Sequence, residues 1–146
     1  DFDQEKKTAK AAQSGFTPLL CIGETLTQRE YGLSGETLST QLKVGLHSIT
    51  TEQAEQLWIA YEPVWAIGTG QTASDEDIRM VHTLVRELLS SLLGSNGIGI
   101  QILYGGSVKP DNAKAILSLD NVDGLLVGGA SLQAQSFADI VRADLA

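Results

Sequence analysis

The 146-residue sequence predicts an α/β fold built on a parallel sheet. Short apolar segments, typical of buried strands, alternate with longer segments in which apolar residues recur at helical spacing. This alternation implies parallel strands joined by right-handed crossovers. In addition, each of the four predicted strands ends in glycine, glutamate or both. A (β/α) barrel and a flavodoxin-like open sheet both locate their sites at such strand ends, so the pattern leaves the two architectures open.

The first half of the chain contains two predicted helices and two predicted strands. A helix covers 2–14 and is closed by Gly15, because glycine is common just after a helix ends. An apolar strand over 16–24 follows, and after a polar loop a second helix presents one apolar face. The residues of that face are Leu38, Leu42, Leu46 and Ile49. The second strand covers 57–62.

The second half begins with a helix whose first residues form a variant of the capping box. Ser74 is predicted to accept an early helical N–H, and Asp77 to reach back toward it. The apolar residues of this helix keep helical spacing; they are Ile78, Val81, Val85, Leu88, Leu89 and Leu92. A strand, a short helix, a strand and a last helix follow at 100–106, 109–118, 122–129 and from about Ser131. The last helix is predicted to turn inward Phe137, Ile140, Val141 and Leu145.

The composition is that of an ordinary globular protein and excludes some classes of function. Hydrophobic residues make up 42% of the chain and charged residues 19%, which is not the composition of a disordered tail. The formal net charge of −8 argues against non-specific nucleic-acid binding, because such binding needs a basic surface. A small anionic ligand is compatible with this charge, since backbone N–H groups bind phosphate without a basic surface.

The cysteine content and the lack of a long apolar run argue against three further classes: disulfide-stabilised, metal-binding and membrane-spanning proteins. Cys21 is the only cysteine, which excludes an internal disulfide and fits a reducing compartment such as the cytoplasm. We expect this cysteine to pack as a small buried hydrophobe. The sequence has no Cys/His cluster, so we predict no metal site. No apolar run reaches the length of a transmembrane helix, so we predict no membrane partner.

The segment AYEPVWAIGTGQTAS, residues 60–74, carries the strongest candidate for chemistry. An apolar strand runs directly into the acid Glu62, and a proline, a tryptophan and a run of small residues follow. A general base must be held near its substrate carbon in a pocket that excludes water. A strand end fixes the backbone of such an acid, whereas the loop after it is free to move. By position alone, Glu62 is either this base or a solvated acid at a strand terminus.

Four motifs together resemble the triosephosphate isomerase family. They are CIGE, AYEPVWAIGTG, YGGSV and VDGLLVGGASL, in the family's order and at its separations. The resemblance runs from about residue 3 to the end, and it implies a TIM (β/α)8 barrel. Such a barrel needs roughly 250 residues. The resemblance therefore implies that 1–146 form the C-terminal part of a single barrel domain, strands five to eight, without strands one to four.

The same resemblance implies the activity and the residue that performs it. Glu62 would be the general base that moves a proton between C1 and C2 of a triose phosphate. Dihydroxyacetone phosphate and D-glyceraldehyde 3-phosphate would interconvert through an enediol(ate), with no cofactor, in glycolysis and gluconeogenesis. The family's strand-one asparagine and lysine and its strand-four histidine have no counterpart here. We do not expect His47 or His82 to replace that histidine, because both lie inside helical patterns and are predicted to be surface or helix-packing residues.

By the same resemblance, the residues after Glu62 form a mobile lid, whose closure excludes water from a reactive enediolate. The first hinge spans 63–65, the tip 66–70 and the second hinge 71–73. In order, these residues are Pro63, Val64, Trp65, Ala66, Ile67, Gly68, Thr69, Gly70, Gln71, Thr72 and Ala73. Many family members have lysine at position 71, a difference that we expect the hinge to tolerate.

The resemblance also implies how the phosphate and the lid are held. Backbone N–H groups would bind the phosphate, because unsatisfied N–H groups and a helix dipole favour an anion. The residues concerned are Gly68, Ser107, Gly128 and Gly129. Tyr104 would latch the lid near Ala73, and Glu24 would hydrogen-bond Trp65 in the open lid. Outside the chemistry, Arg86 is predicted to form a structural ion pair with Asp123 or another acid.

Two hypotheses of different classes follow. In the first, the chain is part of an isomerase, inactive alone because the groups that polarise the carbonyl and hold the anion are missing. In the second, it is a half-barrel folding or assembly module, because four parallel strands leave two open edges and an apolar face that tend to pair. Its partner would be the missing N-terminal half or another copy of itself. The family resemblance implies a homodimer for the full-length protein. Another phosphate-binding barrel enzyme is disfavoured, because Glu62 and its lid match the isomerase pattern.

Overall fold

Four parallel strands form one sheet in the computed structural model, which describes residues 2–67 and 71–143. The strands are β1 (Leu19–Ile22), β2 (Trp58–Tyr61), β3 (Gln101–Tyr104) and β4 (Gly124–Leu125). They lie side by side in the order β1-β2-β3-β4, so each strand pairs with its neighbour in sequence. A doubly wound sheet reverses its strand order at a switch point, whereas a barrel does not. The observed order contains no such reversal, as expected for an arc of a barrel.

Eight α-helices and two 3₁₀ turns occur in the described part of the chain. The helices are α1 (Phe2–Gln13), α2 (Leu26–Glu30), α3 (Ser34–Gly45), α4 (Thr51–Ala54), α5 (Asp75–Leu93), α6 (Ser95–Ile98), α7 (Ala113–Leu117) and α8 (Ala134–Ala143). The 3₁₀ turns are Val64–Ala66 and Gly129–Leu132. No helix among the described residues has both the length and the apolarity that spanning a membrane requires.

The two faces of the sheet have different surroundings, because successive side chains of a strand point to opposite faces. One set of strand side chains is buried in a single core with apolar residues of α3 and α5. The strand members of this core are Leu20, Ile22, Ile59, Tyr61, Ile102 and Tyr104. On the opposite face, Leu19 is 38% exposed, Trp58 is 44% exposed and Cys21 and Leu103 are half-buried. We call this second set the inner face.

The predicted cap of α5 is confirmed. Ser74 accepts a hydrogen bond from the N–H of Asp77, and the Asp77 side chain accepts one from the N–H of Ser74. Three short helices, α2, α4 and α6, were not predicted. Two of them begin with capping boxes that are visible in the sequence, Thr25 with Gln28 and Thr50 with Gln53. They are too short for apolar periodicity to indicate a helix.

The prediction for the last helix was partly wrong. It begins at Ala134 rather than near Ser131, because residues 129–132 form a 3₁₀ turn. Only Ile140 is buried; Phe137 and Val141 are exposed, because α8 packs mainly on α7 and on the 3₁₀ turn. Leu145 lies outside the described residues. Similarly, Leu92 near the end of α5 is exposed, and Ile49 follows the end of α3 and is half-buried.

Candidate active site

The predicted base and most of the predicted phosphate-binding residues meet in one cavity. Glu62 follows β2, the segment 105–107 follows β3 and Gly128 and Gly129 follow β4. Because the strands are parallel, these carboxyl ends lie along the same edge of the sheet. All of them line a cavity of about 560 Å³, together with Ala66, Ile67, Val108, Lys109 and the segment 126–127.

Glu62 is held at the edge of the sheet by its two neighbouring strands. On one side, its N–H donates to the carbonyl of Ile22 at the end of β1, at 2.8 Å. On the other side, Gly105, which directly follows β3, donates its N–H to the carbonyl of Tyr61, the residue before Glu62, at 2.8 Å. Two glycines make room for it. A Cβ on Gly23 would lie 1.8 Å from the Glu62 carbonyl oxygen, and a Cβ on Gly105 would lie 2.7 Å from Glu62 Cγ. The half-buried Glu62 side chain therefore passes over Gly105.

Cys21 differs from its prediction, because its side chain is on the inner face and is only half-buried. Burial, the negative charge of Glu62 and a hydrogen bond to its carboxylate together raise the pKa of the Cys21 thiol to about 11. The thiol is thus protonated at neutral pH and lies next to the predicted base.

The loops after β3 and β4 present backbone N–H groups to the cavity. The N–H groups of Ser107, Gly128 and Gly129 make no backbone hydrogen bond within the described residues. The Asn112 side chain shapes the first loop, since its Nδ2 donates to the Ser107 carbonyl at 3.0 Å and its Oδ1 accepts from the N–H of Lys109 at 2.8 Å. Unsatisfied N–H groups of this kind favour an anion such as a phosphate.

The lid residues that are described begin beside the cavity. Pro63 is buried, Val64–Ala66 form a 3₁₀ turn, and Ile67 is exposed and lines the cavity. The predicted tip residues Gly68, Thr69 and Gly70 lie outside the described residues. The hydrogen bond predicted between Trp65 and Glu24 is present, with the indole N–H donating to Glu24 Oε1 at 2.9 Å.

Tyr104 and Ala73, the predicted latch, are both buried and lie close together. Burial raises the pKa of Tyr104 to about 12, while the nearby N–H of Ala73 opposes this increase. Nevertheless, the Tyr104 hydroxyl has no hydrogen-bond partner of ordinary geometry among the described residues. Gly106 leaves room for it, because a Cβ there would lie 2.1 Å from the hydroxyl oxygen.

The two histidines lie away from the cavity. His82 is completely buried on α5, donates a hydrogen bond from Nδ1 to the carbonyl of Asn121 at 2.9 Å and packs edge-to-face on Tyr61. Of the two predicted alternatives, surface or helix packing, the second is therefore correct for His82. Burial lowers the pKa of its imidazole. His47 is exposed. None of the described His, Cys, Asp and Glu side chains form a cluster of three or more that suits a metal ion.

The predicted ion pair of Arg86 is confirmed, with Nη2 at 2.6 Å from Asp123 Oδ2. The same oxygen accepts the N–H of Ile102 at 2.8 Å, so the pair fixes the start of β3. Sequence reasoning missed Gly105 and Lys109 as residues of the cavity. The pair Gly105 and Gly106 was interpreted only as part of a phosphate loop. No local sequence pattern indicates that the side chain of Glu62, from the neighbouring strand, passes over Gly105.

Comparisons with known proteins agree with this geometry. A family model described as "Triosephosphate isomerase" matches residues 1–144. A triosephosphate isomerase of Lawsonia intracellularis is 55% identical over 139 residues, which are 95% of this chain and 55% of the relative. One of Nitratidesulfovibrio vulgaris (strain DP4) is 55% identical over 139 residues, which are 94% of this chain and 55% of the relative.

A solved structure is similar over the same extent. The crystal structure of triosephosphate isomerase from Bartonella henselae matches with a TM-score of 0.88 and 38% sequence identity, and it covers 98% of this chain and 57% of that one. The chain spans about half the length of the curated relatives that it matches. The family model covers nearly the whole chain, and four motifs, the strand order and the strand-end cavity agree with it. The chain belongs to the triosephosphate isomerase family.

Proposed function

We propose that residues 1–146 are the C-terminal part of one triosephosphate isomerase barrel domain, and that they supply its base, its lid and its phosphate loops. The enzyme interconverts dihydroxyacetone phosphate and D-glyceraldehyde 3-phosphate. One observation carries this proposal: the Glu62 carboxylate shares a cavity with the free N–H groups of Ser107, Gly128 and Gly129. A proton acceptor and an anion site therefore face the same small volume.

In the proposed reaction, Glu62 removes a proton from C1 of the ketose phosphate. The electron pair of that C–H bond forms the C1–C2 double bond, and the carbonyl oxygen takes the negative charge of the enediolate. After the O1 hydroxyl proton has moved to O2, return of the proton to C2 gives the aldose, with its carbonyl at C1. The phosphate is held by the strand-end amides and by Gly68 of the tip. The lid, 63–73, excludes water and so protects the enediolate from loss of phosphate.

The proposal includes a complementary half and a cellular setting. The exposed inner-face residues Leu19 and Trp58 support a missing layer of strands, because large apolar side chains seldom remain uncovered together. The groups that polarise the substrate carbonyl would come from the part of the barrel that is present in the relatives and is not covered by this chain. We further propose that the full-length protein is a cytoplasmic homodimer that acts in glycolysis and gluconeogenesis.

A chimera tests the enzymatic proposal. The portion of the Lawsonia intracellularis relative that this chain does not cover is placed before residue 1; we call the product the completed barrel. Turnover of dihydroxyacetone phosphate is expected, and Glu62→Gln should lower kcat by about 10²–10⁴-fold. Glu87→Gln on the exposed side of α5 is the matched control and should change nothing. Full activity of the Glu62→Gln variant would overturn the assignment of the base.

The second candidate, a half-barrel assembly module, is favoured by the same exposed inner face. Light scattering of the 146-residue chain distinguishes the two hypotheses, in combination with an isomerase assay. If the isomerase proposal is correct, this chain alone should show no turnover, because Glu62 cannot catalyse the reaction without the groups that polarise the substrate carbonyl. Self-association that Trp58→Lys abolishes would support the module. A monodisperse monomer would count against it.

A further inference from the structure

One side chain contacts the start of the loop that follows Glu62 and also the first turn of α5, the helix into which the loop leads. The loop leaves the sheet through a first stem, residues 63–66, and returns through a second stem, residues 71–74, which continues into α5. The residue between them is Arg29, on α2. This residue belongs to none of the motifs of the family resemblance and does not line the cavity.

At the first stem, the Arg29 guanidinium lies over the ring of Trp65, with its carbon 4.5 Å from the ring centroid. This distance is within the range of a cation–π interaction. The indole is fixed at its other end by the hydrogen bond to Glu24, whose side chain is completely buried and also accepts the Tyr61 hydroxyl at 3.1 Å. The first stem is therefore attached to the core on one side and to Arg29 on the other.

At the second stem, Arg29 Nη2 donates to Asp77 Oδ1 at 2.9 Å, and this ion pair is about three-quarters buried on the Asp77 side. The other oxygen of Asp77 accepts from Ser74, from Oγ at 2.7 Å and from N–H at 3.3 Å. One carboxylate thus binds the end of the stem with one oxygen and Arg29 with the other. Burial of Asp77 raises its pKa, but the hydrogen bonds from Ser74 and Arg29 outweigh this and lower it below its usual range.

Helix α2 has little other structural use. None of its five residues is buried, so it adds nothing to the core. Its capping box, Thr25 with Gln28, nevertheless gives it a defined start next to Glu24. A short, capped and otherwise unpacked helix is a suitable base from which to hold one long side chain in place. Arginine suits this position better than lysine, because a planar guanidinium stacks on a ring and donates in its own plane at the same time.

We propose that Arg29 is a positioning residue that holds the two stems at a fixed spacing. This inference deepens the lid role and rests on the proposed function. Loss of the link frees both stems, so the proposed lid is positioned over the cavity less accurately. The N–H groups of Ser107, Gly128 and Gly129 are unaffected, because they lie on the loops after β3 and β4.

The test compares variants of the completed barrel. Arg29→Met removes both the positive charge and the planar guanidinium group, whereas Arg29→Lys retains the charge alone. Asp77→Asn retains a side-chain oxygen that can accept from Ser74 but breaks the ion pair with Arg29. Limited proteolysis with mass spectrometry measures cleavage inside 63–74 relative to cleavage elsewhere in the same digest. Arg29→Met should raise cleavage in this segment roughly tenfold, with Arg29→Lys in between. Arg79→Met on α5, which breaks an exposed pair with Glu76, is the matched control and should have no effect.

Kinetics and a double variant provide the discriminating readouts. Arg29→Met should lower kcat severalfold and leave KM within about twofold, since transition-state protection is lost but the N–H groups of Ser107, Gly128 and Gly129 are retained. Asp77→Asn should add nothing in the Arg29→Met background, because both changes break one link. Unchanged cleavage in Arg29→Met, or fully additive effects of the two changes, would overturn the proposal. A wild-type completed barrel without turnover would instead refute the proposed function, while the cleavage result still decides the role of Arg29.

Discussion

The Cys21 thiol lies next to the Glu62 carboxylate, across the β1–β2 boundary on the inner face of the sheet. The two residues are 41 positions apart in the chain, and the parallel register brings them together. Because the carboxylate disfavours a second negative charge beside it, this cysteine reports on the charge and position of the predicted base. It can be followed chemically without any assay of turnover.

The first prediction concerns the reactivity of this cysteine. The pKa of Cys21 is raised to about 11 by burial, by the charge of Glu62 and by their hydrogen bond. Replacement of Glu62 by Gln removes the charge, so the thiol pKa should fall and the thiolate should form at lower pH. Iodoacetamide alkylation of the 146-residue chain, measured by mass spectrometry across pH 7–10, should be faster in Glu62→Gln. Identical pH profiles for the two proteins would show that the carboxylate does not act on the thiol.

A second prediction concerns the space beneath the base. A Cβ at position 105 would lie 2.7 Å from Glu62 Cγ, so Gly105→Ala must displace the Glu62 side chain. In the completed barrel, kcat should fall by up to about 100-fold, because small misplacements of a reacting group are costly. KM should change little, since the N–H groups of Ser107, Gly128 and Gly129 are retained. Gly99→Ala is the matched control, as nothing lies within 4 Å of a Cβ there. An unchanged kcat in Gly105→Ala would contradict this role of the glycine.

The third prediction concerns pH and the buried histidine. Burial lowers the pKa of His82, so the unfolded chain binds this proton more readily than the folded one. Folding stability should therefore fall as the pH drops below the ordinary histidine value of about 6.5, by at most about 1.4 kcal/mol per pH unit. His82→Gln should weaken this dependence in urea unfolding of the completed barrel between pH 7 and pH 5. The exposed His47→Gln is the control. Parallel pH profiles for wild type and His82→Gln would be inconsistent with this linkage.

A fourth prediction compares two ion pairs. Asp123 accepts both Arg86 and the N–H of Ile102, and the pair is largely buried. Asp123→Ala should lower the free energy of unfolding by about 2–3 kcal/mol, because it leaves the N–H of Ile102 without an acceptor and the Arg86 guanidinium without its carboxylate. Asp139→Ala breaks the exposed pair with Arg142 and should cost less than about 1 kcal/mol. Chemical denaturation of the completed barrel measures both, and equal losses would contradict the structural role of the Arg86 pair.

The longer elements could be predicted because their signals are local. Helix α1 is closed by Gly15, α3 and α5 show apolar periodicity, α5 also has a capping box, and β2 runs from apolar residues into Glu62. Local signals fail where a helix has too few residues to show a repeating apolar pattern, as in α2 and α4. They also fail where burial depends on a neighbour, as for Phe137 and Val141 on α8.

The amino-acid sequence by itself determined the succession of strands and helices, the acid at the end of β2 and the glycine-rich segments after β3 and β4. These features depend on backbone propensity and on side chains close together in the chain. The tertiary structure alone decided that the strands follow one another without reversal, that Cys21 adjoins Glu62 and that Arg29 contacts both Trp65 and Asp77. Such contacts depend on strand register and on which face of each element is covered. Neither property is encoded in a local stretch of residues, because both arise only when distant segments pack together.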